Sequence, residues 1–245
     1  MRTANRYFGL ESAAAAAYDQ AMNALPDDPS WPDPLDLEMY QVRVGWSTRR
    51  DELARLENEK QFMEAAEIYL KQIAVQPTAK AYIGAGTNLA LAGKYQRALP
   101  LLQQAAVLEP DSAKAHAALA AALFGRAEKA WQTSPSSAEA RQGFDEVVAH
   151  ARRATELQPD LAAAYLHWGL ALTYLGKPDE AVVPLKKGVA CQPATVEHQR
   201  SLGEALLEAG QYREAAIYLE NARLLAPNDP RTARALQRLS QNKKN

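Results

Sequence analysis

Only one cysteine, Cys191, stands among the 245 residues. No intrachain disulfide can form, and no Cys-based zinc site or iron–sulfur cluster can be built. No apolar run approaches the roughly 18 residues of a bilayer-spanning helix. Charge of one sign is not in excess: 28 Lys and Arg face 29 Asp and Glu, a net of −1. That balance speaks against a generic nucleic-acid binder, which carries a strong basic excess, and against a membrane surface held by charge alone. The start, Met1 to Tyr7, is basic, but no apolar core follows it. Ala13 to Ala17 is too short and too weakly apolar for a signal peptide. A cytoplasmic location is therefore expected, or an extracytoplasmic one if the chain is trimmed. Aromatics are scarce, with 4 Phe, 4 Trp and 10 Tyr. Pro (14) and Gly (12) are too few for disorder. What abounds is Ala and Leu, which together make up near a third of the chain. The composition reads as all-helical.

The prolines reveal an internal repeat. Pro77, Pro110, Pro159, Pro193 and Pro227 each close a helical pattern, at gaps of 33, 49, 34 and 34 residues. Twelve residues before each stands Ala65, Ala98, Val147, Ala181 or Ala215. Fifteen before stands Phe62, Tyr95, Phe144, Pro178 or Tyr212. Further upstream come the pairs Ala85-Gly86, Leu119-Ala120, Trp168-Gly169 and Leu202-Gly203. Each unit reads as two antiparallel helices. Gly93, Gly176 and Gly210 mark the turns, where a left-handed residue ends the first helix. Gly86, Gly169 and Gly203 fall mid-helix at a cost of about 1 kcal/mol each. Close helix approach is the expected gain, with Ala98, Ala181 and Ala215 as the small partners. Each proline then stops the second helix.

On these residues the sequence resembles the tetratricopeptide repeat family over roughly 46–227. The resemblance implies an all-α fold, a right-handed superhelix of helix pairs (an α-solenoid) with the first helices lining a concave face. Five units are expected, at 46–78, 79–112, 113–161, 162–195 and 196–227. The first departs from the pattern, with Glu52-Leu53 where a small residue belongs. The third carries about 15 extra residues between Gly125 and Phe144. Lengthening both of its helices is the cheapest accommodation. Ser136 and Glu139 have capping-box spacing, which predicts a helix start there.

The ends differ in character. Residues 1–26 read as an N-terminal helix, a degenerate half-repeat. Residues 27–45 form a Pro-rich acidic linker or arm in which Trp31 stands among prolines. Residues 228–245 read as a capping helix with a basic tail, as stacked repeats require.

No catalytic constellation emerges. His116, His150, His167 and His198 fall in different helices without an i, i+4 partner. His116 occupies an aromatic packing slot filled by Tyr82 and Tyr165 in other units, so a structural role is expected. Gly84-Ala85-Gly86 is not followed by a phosphate-loop pattern. Cys191 reads as a buried or inert thiol. No metal, cofactor or enzymatic activity is expected.

If the resemblance holds, the functional surface is the concave groove. Its expected lining is Lys80, Ile83 and Thr87; Lys114, Ala118, Ala121 and Phe124; Leu166, His167, Leu170 and Tyr174; and Arg200 and Glu204. Some family members hold a chaperone's C-terminal carboxylate with a Lys/Asn/Asn/Lys/Arg clamp. The corresponding slots here carry Arg50, Ala54, Gly84, Lys114 and Ala118, which make no clamp. The expected role is an adaptor or scaffold that takes an apolar helix or extended segment of another protein or peptide, and no nucleic acid. Three alternatives stay open. The arm at 27–40 can fill the groove of its own or a second copy. A homodimer can form through the third unit, where Trp131 is expected on the surface. Or the chain is the targeting or scaffold part of a larger enzyme or redox protein.

Overall fold

The computed structural model describes residues 52–135 and 137–242. The chain divides into two compact units, Met1–Glu52 and Leu53–Asn245. The expected N-terminal helix, the arm, Arg50, Ser136 and the last three residues lie outside the described residues. The second unit is entirely helical among the described residues. A helical segment at 52–58 precedes α1 (Phe62–Val75), α2 (Ala79–Leu91), α3 (Tyr95–Leu108), α4 (Ala113–Thr133), α5 (Ala138–Leu157), α6 (Ala162–Tyr174), α7 (Pro178–Cys191), α8 (Val196–Glu208), α9 (Tyr212–Leu225) and α10 (Pro230–Asn242). None of the described helices is long and apolar enough to cross a membrane.

The turns follow from backbone chemistry. Gly93, Gly176 and Gly210 sit at φ near +70°, at 71°, 75° and 73°. In each, two backbone N–H groups reach back to the orphan carbonyls of the helix end. Lys94 N–H donates to Leu89 O and Gly93 N–H to Ala90 O, at 2.8 and 2.9 Å. Lys177 and Gln211 repeat the longer bond to Leu172 and Leu206. This is the Schellman arrangement, and glycine adopts its left-handed residue at least cost. Before α1 the same position is held by Lys60 at φ 58°, with Gln61 N–H bonded to Leu56 O.

The second helices stop for a different reason. Gln76, Glu109, Gln158, Gln192 and Ala226 each precede a proline and have left the helical region, with ψ between 77° and 98°. A following proline disfavours helical backbone at that residue. Thr78 and Ser112 then cap the next first helices by accepting the N–H of Ala81 and Ala115.

Helix α4 has 21 residues and α5 has 20, against 13 or 14 for the other labelled helices. The third unit has absorbed its extra residues as helix. Ser137, not Ser136, caps α5: its hydroxyl accepts the N–H of Ala140 at 3.2 Å. The capping signal therefore lies one residue further along than the spacing predicts.

The mid-helix glycines are packing holes. A Cβ on Gly86, Gly169 or Gly203 would run into the side chain of Leu102, Leu185 or Leu219. The nearest side chain is a leucine one turn beyond the expected alanine (Ala98, Ala181 or Ala215), and at Gly86 the Ala98 carbonyl oxygen also lies 3.2 Å from that Cβ. Those alanines are themselves fully buried, and Leu102, Leu185 and Leu219 are at most 1% exposed. Glycine leaves the volume that a leucine fills, which is how cores reach close packing.

Curvature follows from the helix contacts. Each first helix touches the next first helix, in the series α2, α4, α6, α8 and α10, whereas the second helices do not pack comparably on one another. Neighbours that touch on one side and spread on the other bend the stack toward the first helices. These helices line its inner face.

Candidate functional site

A pocket opens on the inner face toward the C-terminal end. It encloses about 510 Å³ between α4, α6, α8 and α10. Helix α4 contributes Phe124, Glu128 and Trp131; α6 contributes Leu170, Thr173 and Tyr174; α8 contributes Glu197, Arg200, Ser201, Glu204 and Glu208; α10 contributes Arg231 and Arg238.

Its aromatic wall is anchored from below. Phe144 on α5 is fully buried, and the Tyr174 ring stacks on it at 4.6 Å and 14°. Phe124 and Trp131 each meet Tyr174 edge-on at 5.7 Å. The Tyr174 hydroxyl donates to Glu128 at 3.0 Å. Burial, with the Glu128 carboxylate beside it, pushes the phenol up to about 12. Tyr174 therefore remains a neutral donor across the physiological range.

The opposite wall carries charge. Arg200 is buried and pairs with Asp229 at 3.0 Å. Asp229 also accepts the backbone N–H and the hydroxyl of Thr232, at 3.0 and 2.6 Å. The Thr232 hydroxyl, together with its backbone N–H and the Arg200 guanidinium, holds this carboxyl well below its usual range. Arg238 lies 3.6 Å from Glu208. Glu204 behaves differently. Burial raises its carboxyl above the usual range, with Arg200 opposing and Glu208 adding to the shift. Among the described residues it makes no ion pair within 4 Å.

Of the residues expected in the groove, the pocket brings together Phe124, Leu170, Tyr174, Arg200 and Glu204. Lys80 and Lys114 stand exposed on α2 and α4, and Ile83, Thr87, Ala118 and Ala121 are partly buried along the same helices, away from the pocket. Leu166 is a correction: at 4% exposure it belongs to the core with Leu185 and Leu202. Leu170, one turn further along the same side of α6, is only partly buried and reaches the pocket, whereas at Leu166 the packed helices cover that side. His167 also stays outside the pocket. Its Nδ1–H donates to Ala163 O at 2.8 Å, its ring meets Phe124 edge-on, and burial lowers its basicity.

Trp131 overturns the expectation of a surface tryptophan on a protruding unit. Its ring is partly buried, packs against Phe144 and Tyr174 and lines the pocket. Glu128 and Trp131 were legible in principle. They lie four and seven residues beyond Phe124, on one face of a continuous helix. The α8 and α10 residues, Glu197, Glu208, Arg231 and Arg238, carry no such sequence signal, because the capping helix brings them together.

Elsewhere the chemistry is structural. His116 stacks on His150, their Nδ1 atoms 3.1 Å apart, and its Nε2 lies 3.0 Å from Pro110 O. Cys191 is exposed rather than buried, with its Sγ 3.9 Å from Pro159 O. Among the described residues no three His, Cys, Asp or Glu side chains are placed to hold a metal ion.

No protein-family model matches the chain, and no curated protein does. Solved structures do. A tetratricopeptide protein of Thermus thermophilus, TTC0263, is 19% identical with a TM-score of 0.62, over 81% of this chain and 99% of that one. A fragment of MamA from Desulfovibrio magneticus is 17% identical with a TM-score of 0.57, over 75% and 96%. Another MamA structure is 21% identical with a TM-score of 0.54, over 78% and 96%. These likenesses establish the fold: the chain is an α-solenoid of helix pairs, with the fold of tetratricopeptide proteins.

Proposed function

We propose that this chain is a non-catalytic scaffold or adaptor whose inner face takes a segment of another protein. One observation carries the reading. A pocket of about 510 Å³ is built by the first helices of successive repeats, and it sets a partly buried aromatic wall beside polar and charged side chains. Ligand-binding clefts use apolar and aromatic side chains for contact and polar groups to fix orientation, and this one holds both, with the polar groups in the majority. Bound segments gain most from aromatic anchors in such pockets. The placement of Trp131 supports the reading further, because the extra turns of α4 supply a ring to the pocket.

The test is affinity capture from native lysate with three forms of the full chain: wild type, Leu170→Glu and Val183→Glu. Leu170 lines the pocket, while Val183 is 60% exposed on α7. A partner retained by wild type and Val183→Glu but lost by Leu170→Glu, with all three melting alike, supports the scaffold reading. Identical capture by all three places the partner contact outside the pocket and defeats it.

A further inference from the structure

We infer that the pocket receives a positively charged side chain, a lysine or arginine of the partner segment, held against the Tyr174 and Trp131 rings and paired with Glu204. The inference rests on the scaffold reading and states what the bound segment must carry.

The argument is one of charge matching in a half-dry cavity. Two of the three lining arginines are already neutralised within the fold, Arg200 by Asp229 and Arg238 by Glu208. That leaves Glu128, Glu197 and Glu204 against Arg231, an excess of negative charge facing the cavity. Glu204 is the costly member. It is partly withdrawn from water, and although Arg200, Arg231 and Arg238 partly offset its burial, none of them pairs with it within 4 Å among the described residues, and burial still disfavours its charged form. An incoming ammonium or guanidinium supplies the missing partner.

The aromatic wall points the same way. Aromatic faces attract cations through their quadrupole, most strongly when water is excluded. Phe124, Tyr174 and Trp131 line the pocket and are only partly buried, so each keeps some accessible surface. The Tyr174 hydroxyl is already committed to Glu128, so it does not compete as a donor. A pocket of about 510 Å³ has room for one long side chain with its apolar neighbours. An acidic residue would meet the carboxylates. A wholly apolar one would complete the desolvation of Glu204 with no compensating charge.

The experiment is a random dodecapeptide display library panned on the full chain. Pocket binders are defined as those that lose binding to Leu170→Glu. The expected result is that these peptides carry a Lys or Arg. Exchanging it for norleucine, or making Glu204→Gln in the protein, should weaken binding by about tenfold or more. Glu128→Gln serves as the second variant if Glu204→Gln fails to fold. Pocket binders without a basic residue, or ones indifferent to norleucine and to both Gln variants, overturn the inference while the scaffold reading stands. A library that yields no binder sensitive to Leu170→Glu defeats both.

Discussion

Arg200 and Asp229 meet at 3.0 Å, with side-chain exposures of only 10% and 18%. The pair joins two roles. Arg200 lines the pocket, and Asp229 caps α10 through Thr232. The last helix is thereby tied to the inner face by a charge as well as by Ala235 and Leu239, which are buried in the C-terminal core.

Removing that carboxylate strips a cap and strands a buried guanidinium. Asp229→Ala should destabilise the C-terminal repeats by about 2–4 kcal/mol. Urea unfolding gives the total, and hydrogen exchange should show α10 opening first. The pH dependence has a defined sign. A carboxyl held below its ordinary value contributes fully above about pH 4 and loses its contribution as pH falls further. Asp229→Asn should lack that part of the acid destabilisation.

Gly203 shows how tightly the helix pairs interlock. A Cβ there would lie 2.6 Å from Leu219 Cγ and 3.2 Å from its backbone N. Backbone cannot swing aside as a side-chain tip can. Gly203→Leu should cost about 2–3 kcal/mol by overpacking. An unchanged melting temperature would contradict the packing described.

Lys60 is the exception among the turns. It holds at φ 58° the position that glycine fills elsewhere. Left-handed backbone costs a residue with a Cβ roughly 1–2 kcal/mol, and glycine's greater freedom in the unfolded chain returns part of it. Lys60→Gly should therefore stabilise by about 0.5–1 kcal/mol, read from the denaturation midpoint.

His116 and His150 face each other through Nδ1 atoms 3.1 Å apart, so one nitrogen donates and the other accepts. Because Pro110 O accepts from His116 Nε2, neutral His116 presents a bare Nδ1 and His150 donates to it. Burial, and then the neighbouring His116, lower the basicity of His150. A lowered histidine destabilises the fold as pH drops below its ordinary value of about 6.5. Thermal melts at about pH 7.5 and about pH 5, either side of that value, should show a smaller loss for His150→Gln than for wild type. The residual loss includes His167, which burial lowers in the same direction.

Much of the architecture is readable from the sequence because it depends on backbone rules. Pro77, Pro110, Pro159, Pro193 and Pro227 each follow the end of a second helix, and Gly93, Gly176 and Gly210 mark the turns by conformation. The glycine–leucine packing is half legible. Gly86, Gly169 and Gly203 announce a close approach, but which side chain fills the gap depends on how far each helix slides along its partner. Leu166 reads as a groove residue because a helical wheel gives an angle and not the position of the neighbours. The pocket is the least legible feature. Four helices contribute to it from distant parts of the chain, and no local spacing encodes where such faces converge.

A stack of helix pairs behaves as a spring, since each repeat touches only its neighbours and small rotations add along the coil. The Tyr174 ring on Phe144, with Trp131 against both, clamps the fourth repeat to the third across the width of the stack. A joint braced by three rings should bend less readily than one without them, so a visiting segment there should meet a ready-made shape instead of winding the coil around itself. Preorganised sites lose little conformational freedom on binding, which favours selectivity for one geometry over tolerance of many.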